Sequence, residues 1–185
     1  MKINKPKRSN IIFLIVLALL LIPQTRKPIQ VFIQKGLALI SPSTINKNEQ
    51  PSLTNYNWKL KDKKGTIYNF EETKEKVVLV NFWATWCPPC IAEMPNLQKL
   101  YDDYNKKIEF VFVSDESFET IYSFLEKNNY TFKVYNEVSK SDFFIVKGIP
   151  RTFLIDKQGK VVIDKTGAAN WNSESVRNTI DDLLR

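Results

Sequence analysis

Cys87 and Cys90 are the only cysteines in the chain, and two prolines separate them in the run Cys87-Pro88-Pro89-Cys90. Two thiols at this spacing admit three kinds of chemistry. A structural zinc site takes four ligands, whereas this chain offers two thiolates, no third cysteine and no histidine. A purely structural disulfide would close so small a loop that little entropy is removed from the unfolded chain. Reversible redox exchange has a more specific basis, because the pair stands where an apolar, strand-like run gives way to a helix-like one. A thiol at a helix N-terminus faces unpaired N–H groups and the positive end of the helix dipole, and both favour its thiolate. Cys90, one turn into that helix, is then the buried partner that resolves a mixed disulfide. Exchange is the reading these residues favour, with zinc and a static bridge as the alternatives.

The rest of the composition removes other chemistries. With no histidine, Ser-His-Asp and Cys-His nucleophiles, imidazole acid-base catalysis and His-ligated metals are excluded. The five glycines, at 36, 65, 148, 159 and 167, allow neither a GxGxxG nor a GxxxxGK[ST] phosphate loop. No cofactor and no metal is therefore expected. The formal charge of +7 suggests nucleic acid until it is located: residues 1–50 hold eight Lys/Arg and one acid, Glu49, and residues 51–185 hold 19 of each sign. The folded part has no basic excess for phosphates, so no nucleic-acid partner is expected.

The elements that must position the cysteines follow from apolar periodicity. Val77–Phe82 and Ile108–Val113 are short, nearly continuous apolar runs, as in strands covered on both faces. Met94, Leu97, Tyr101 and Tyr104 recur at helical spacing after Cys90, as do Phe118, Ile121, Phe124 and Leu125. Thr152–Asp156 and Val161–Asp164 are strands joined by a glycine-containing turn, Lys157-Gln158-Gly159-Lys160. Val176, Ile180, Leu183 and Leu184 form the apolar face of a last helix. The prediction is an α/β fold with a mixed central sheet and helices on both faces, spanning residues 56–185.

The charge belongs to the other end. Residues 1–10 are a basic segment, read as cytoplasmic, ahead of twelve consecutive apolar residues, Ile11–Ile22, closed by Pro23. Twelve helical residues rise only about 18 Å against a hydrocarbon core of roughly 30 Å, the length of a signal-peptide core. No small-residue cleavage pattern follows at Leu20–Thr25, however, so residues 11–22 are read as an uncleaved signal-anchor, with cleavage further along as the alternative. Ile29, Phe32, Ile33, Leu37 and Ile40 share one helical face with Gln30 and Gln34 opposite, which makes residues 23–40 an interfacial helix or a second, partly inserted segment. Residues 41–55 read as a linker, since eleven of the fifteen are Ser, Thr, Asn, Gln or Pro.

The segment VVLVNFWATWCPPCIAEMP resembles the active-site segment of the thioredoxin fold, and most closely that of the membrane-anchored TlpA/ResA-like thiol-disulfide oxidoreductases of bacteria. Trp86 matches the family tryptophan, Pro95 the proline of the active-site helix, and GIPRTFLID the cis-proline loop, which puts the cis residue at Pro150. The 63 residues from Cys87 to Pro150 leave room for the central insertion of the TlpA-like branch, at Phe118–Val138. The resemblance implies that Cys87 attacks a protein disulfide and Cys90 resolves it, with Trp86, Ile149, Pro150 and Arg151 contacting substrate. It also implies an upstream membrane thiol donor and a location on the outer side of the cytoplasmic membrane, with secretion after cleavage as the alternative. One departure matters: where many thioredoxins bury an aspartate, this chain has Asn81, whereas Glu93, three residues after Cys90, matches a ResA-like glutamate and is the candidate for the proton work. Because Pro88 and Pro89 have no N–H to donate, less thiolate stabilisation and a reducing couple are expected. An oxidase or isomerase, a peroxiredoxin-like peroxidase and a non-catalytic binding module are the competing readings.

Overall fold

The computed structural model describes residues 8–185, so Lys2, Lys5 and Lys7 of the basic segment lie outside the described residues. Helix α1, Arg8–Leu21, is apolar around its whole circumference, and Ile11 to Ile15 are all exposed. No helix among the described residues is long and apolar enough to cross a membrane. Pro23, at the start of helix α2, Pro23–Leu37, separates it from α1, because a proline at a first helical position forfeits only an N–H that has no helical partner. The Thr25 hydroxyl donates to the Leu19 and Ile22 carbonyls, which closes the free end of α1.

Seven strands form one mixed sheet: β1 Lys59–Lys61, β2 Ile67–Asn69, β3 Val78–Phe82, β4 Glu109–Val113, β5 Val134–Glu137, β6 Arg151–Ile155 and β7 Val161–Thr166. Their order is β2-β1-β5-β4-β3-β6-β7. β3 runs parallel to β4 and antiparallel to β6, and all five of its residues are buried. That burial on both faces is why its sequence shows no alternation. Helix α3, Pro88–Tyr104, follows β3, and α4, Phe118–Asn128, and β5 form the predicted insertion. Helix α5, Glu174–Leu184, ends the fold; the Ser117 and Ser173 side chains cap α4 and α5 by accepting from Thr120 N and Val176 N.

The helical cover differs from the expectation of helices on both faces. Met94 and Leu97 of α3, Ile121 and Leu125 of α4, and Val176 and Ile180 of α5 all join one core with Leu79, Phe112 and Leu154. The other face, carrying Val78, Val80, Phe82, Val111 and Phe153, is closed by Phe70 of a 3-10 turn and by Phe144 of the 138–150 loop. Trp58, Phe70, Phe82, Phe144 and Phe153 stand in a cluster with ring centroids 5.0 to 6.3 Å apart. Aromatic rings bring enough area to seal a sheet without helical packing.

Residues 41–55 contain a single 3-10 turn, Lys47–Glu49, and they lie along the domain rather than away from it. Ile45 N donates to Val162 O, Val161 N to Pro51 O and Leu53 N to Gly159 O, while Leu53 is buried. Gly159, at φ +78°, fits this docking: a Cβ there would come within 2.5 Å of the Tyr56 hydroxyl.

Candidate active site

Cys87 and Cys90 are joined in a disulfide, with Cα atoms 5.3 Å apart. Cys87 is the N-cap of α3: its backbone is extended, its Sγ accepts from Cys90 N at 3.3 Å, and Pro88 and Pro89 fill the first two helical positions. Two of the N–H groups that would surround an anionic sulfur there are thus absent, and one remains. Both cysteines are almost wholly buried, whereas Trp86 is 61% exposed beside them.

The loop that delivers Cys87 is held from below. Glu116, after β4, accepts from Thr85 N at 2.6 Å and from the Thr85 hydroxyl at 2.7 Å, a two-pronged bond on the residue two before Cys87. Cys87 N donates back to Ala84 O. Nothing in the sequence distinguished Glu116 from a solvated loop acid, because its partner lies 31 residues earlier.

Glu93 is 0% exposed. One carboxylate oxygen accepts from Asn81 Nδ2 at 3.0 Å, and the other accepts from Ala169 N at 3.2 Å and Trp171 Nε1 at 3.1 Å. Burial nevertheless dominates and pushes its pKa up to about 8, against the opposing pull of these three donors. Asn81 donates also to the Thr152 hydroxyl at 2.7 Å, and its own Oδ1 has no partner. The carboxyl therefore sits in a buried polar knot made by β3, α3, β6 and the chain after β7, three residues beyond Cys90 along α3. Asn81 was legible as a departure from a familiar pattern. Trp171 carried no local signal, since 78 residues separate it from Glu93.

The Ile149-Pro150 peptide is cis, as expected, and Ile149 lines a cleft of about 670 Å³ with Trp86, Phe82, Val113, Phe144 and Val146. Among the described residues Ile149 makes no backbone hydrogen bond, which leaves its N–H and C=O open to another chain. Arg151, expected to contact substrate, opens β6 beside this cleft residue. Its guanidinium makes two bonds to Asp164, at 3.0 and 2.8 Å, and a third to Ile145 O at 2.8 Å, so its donors already fasten the 138–150 loop to β7. Such a bidentate pair binds strongly and holds a fixed orientation.

A CPPC pair at the head of a helix, delivered by a central strand and flanked by a cis-proline loop in a mixed sheet, defines a thioredoxin-like fold. The Redoxin family profile matches residues 46–183, and the chain belongs to that family. A thiol-disulfide oxidoreductase ResA of Halalkalibacterium halodurans is 32% identical over 115 residues, covering 60% of this chain and 65% of that protein. A ResA of Bacillus thuringiensis subsp. konkukian is 34% identical over 135 residues, or 70% of this chain and 73% of the relative. Among solved structures, a provisionally named thiol:disulfide interchange protein DsbE of Chlorobium tepidum superposes with a TM-score of 0.58 at 25% identity, covering 80% of this chain and 99% of that one. StoA of Bacillus subtilis does so with a TM-score of 0.51 at 25% identity, covering 63% and 91%.

Proposed function

We propose that the chain is a membrane-anchored protein-disulfide reductase acting on exported or envelope proteins. The observation that carries this reading is the Cys87–Cys90 disulfide at the N-terminus of α3, with Cys87 as the cap. In the reduced enzyme the Cys87 thiolate attacks one sulfur of a substrate disulfide; that S–S bond breaks, a Cys87–substrate disulfide forms, and the released substrate thiolate takes a proton. Cys90 then loses its proton to Glu93 and attacks Cys87 Sγ. The second substrate thiol leaves, two electrons have passed to the substrate, and the Cys87–Cys90 bond is closed. A dithiol donor at the membrane reopens it by the same exchange.

A buried thiol resists ionisation, so a base beside Cys90 is needed where water cannot serve. Glu93 fits on three counts: it lies one helical turn beyond Cys90, it is itself buried, and its raised pKa lets it both take and return a proton near neutrality. The substrate lies in the cleft between Trp86 and Ile149, paired through the open Ile149 backbone, a mode of strand addition that tolerates many sequences. The missing N–H groups of Pro88 and Pro89 favour a reducing couple.

Reduction of insulin by the full chain in detergent tests the activity. Cys90→Ser is expected to stop turnover and accumulate a mixed disulfide on Cys87. Glu93→Gln is expected to slow turnover at pH 7 by roughly a hundredfold, the low end of what a positioned base supplies, and to move the cysteine titration. The potential, by equilibration with glutathione, is expected nearer the roughly −270 mV of thioredoxin than the roughly −120 mV of strong oxidants. A value above about −180 mV would favour an oxidase or isomerase instead. The basic residues before Ile11 support an N-terminus inside and a redox domain outside, where protease added to spheroplasts is expected to digest it.

A further inference from the structure

Helix α2 is mounted on the redox domain with much of its apolar stripe turned outward. Its half-buried positions are Thr25, Ile29, Gln30, Val31 and Gln34, and Ala38 just after it is buried, whereas Phe32, Ile33 and Leu37, followed by Leu39 and Ile40, are exposed, Phe32 by 79%. In water a docked helix turns its apolar stripe inward. Here small and polar groups contribute to the contact. Ala38 packs with Ala92 of α3 and with Ala168 after β7, Asn96 Nδ2 donates to Ala38 O at 3.2 Å, and Asn170 N donates to Ile40 O at 2.8 Å. At the other end of α2, Lys27 Nζ donates to Thr85 O at 3.1 Å. These contacts fix a direction: α2 runs alongside α3 with its beginning at the Cys87 end.

We propose that α2 clamps the domain to the membrane surface, its outward apolar face seated in the interface and the Trp86 indole at the lipid edge, so that the substrate cleft opens along the membrane face. This rests on the reading of α1 as an anchor. Two observations select lipid as the occupant. The exposed face continues from the apolar helix α1, which ends at Leu21, two residues before Pro23. No acidic residue precedes Glu49, while Arg26 and Lys35 are exposed on α2, the pairing of apolar stripe and basic flank that anionic headgroups accept. Trp86 directly follows Thr85, the residue that Lys27 holds, so the exposed indole lies beside the first part of α2. The domain is thereby presented to thiols at the membrane face rather than swinging on a tether.

The test uses the full chain in phosphatidylglycerol vesicles with brominated acyl chains. Trp58, Trp83 and Trp171 are buried and Trp86 is exposed, so the difference from Trp86→Phe isolates the emission of Trp86. Bromine is expected to reduce that emission roughly twofold or more, as for an indole at the acyl boundary. Ala38→Leu, which wedges α2 off α3, and the pair Phe32→Asp with Ile33→Asp are each expected to restore the emission while the protein still floats with the vesicles. Ala38→Leu should also reduce insulin at the unmodified rate in detergent. A chain that floats but is not quenched, or quenching that survives both variants, overturns the inference alone. Failure to float overturns it together with the anchor, and unquenched chains that cross-link through position 33 would make the face a contact between copies.

Discussion

A carboxyl group that accepts three hydrogen bonds and yet has its pKa pushed up to about 8 is an unusual object, and Glu93 owes it to complete burial. Its unfolded value is near 4.3. Between these two pH values the folded chain holds a proton that the unfolded chain has released, so the contribution is complete below about pH 4.3 and is lost as pH rises through the folded value. Urea midpoints are accordingly expected to fall from pH 5 to pH 8 by more in the native chain than in Glu93→Gln, where this titration is gone; parallel profiles would show Glu93 to be ordinary. Trp171→Phe removes a donor from the same buried oxygen while keeping an aromatic ring in place. It is expected to destabilise by about 1–3 kcal/mol in urea unfolding, the cost of an unsatisfied buried polar group, and to raise the Glu93 pKa further. At this scale the sequence was informative where a residue type was rare. Two cysteines and a carboxylate in helical register were visible, but the indole and the Ala169 amide that grip the carboxylate come from chain folded back across the sheet.

At the scale of elements, long apolar runs were legible and short ones were not. β3, β4 and α3 announce themselves because burial on both faces, or on one helical stripe, repeats over five residues or more. β1 and β2 have three residues each and owe their existence to partners: Leu60 pairs with Tyr68 on one side and with Glu137, at the far end of the insertion, on the other. Neither has room for a period. The aromatic cover of the second sheet face was hidden for a similar reason, since Phe143 and Phe144 sit in a loop that resembles no element. That cover is expected to carry stability as a helix would. Phe144→Ala opens a hole between Trp58, Phe70, Phe82 and Phe153 and is expected to cost about 3–5 kcal/mol by urea denaturation, the range for large aromatics in cores. A loss below about 1 kcal/mol would mean the loop merely lies on the sheet.

For the whole molecule, composition divides the chain by charge but does not show how its parts attach. The polar run 41–55 has the makeup of a spacer, and composition cannot reveal hydrogen bonds made by backbone. Those bonds fall on β7, the last strand of the sheet, whose outer side would otherwise present unpaired groups. An open strand edge is a template for other chains, and proteins that leave one uncovered tend to pair with themselves. Ile45 to Leu53 thus act as a guard rail along Val161 and Val162, with Ser52 bridged to Lys160, while the opposite edge, β2, is only three residues long. A fragment cut at Tyr56 keeps every catalytic group and loses the rail. It is expected to self-associate in a concentration-dependent way by sedimentation and to unfold at lower urea, whereas a fragment from Ser41 stays monomeric. The residues that look most dispensable in this chain are the ones that keep its sheet from recruiting a neighbour.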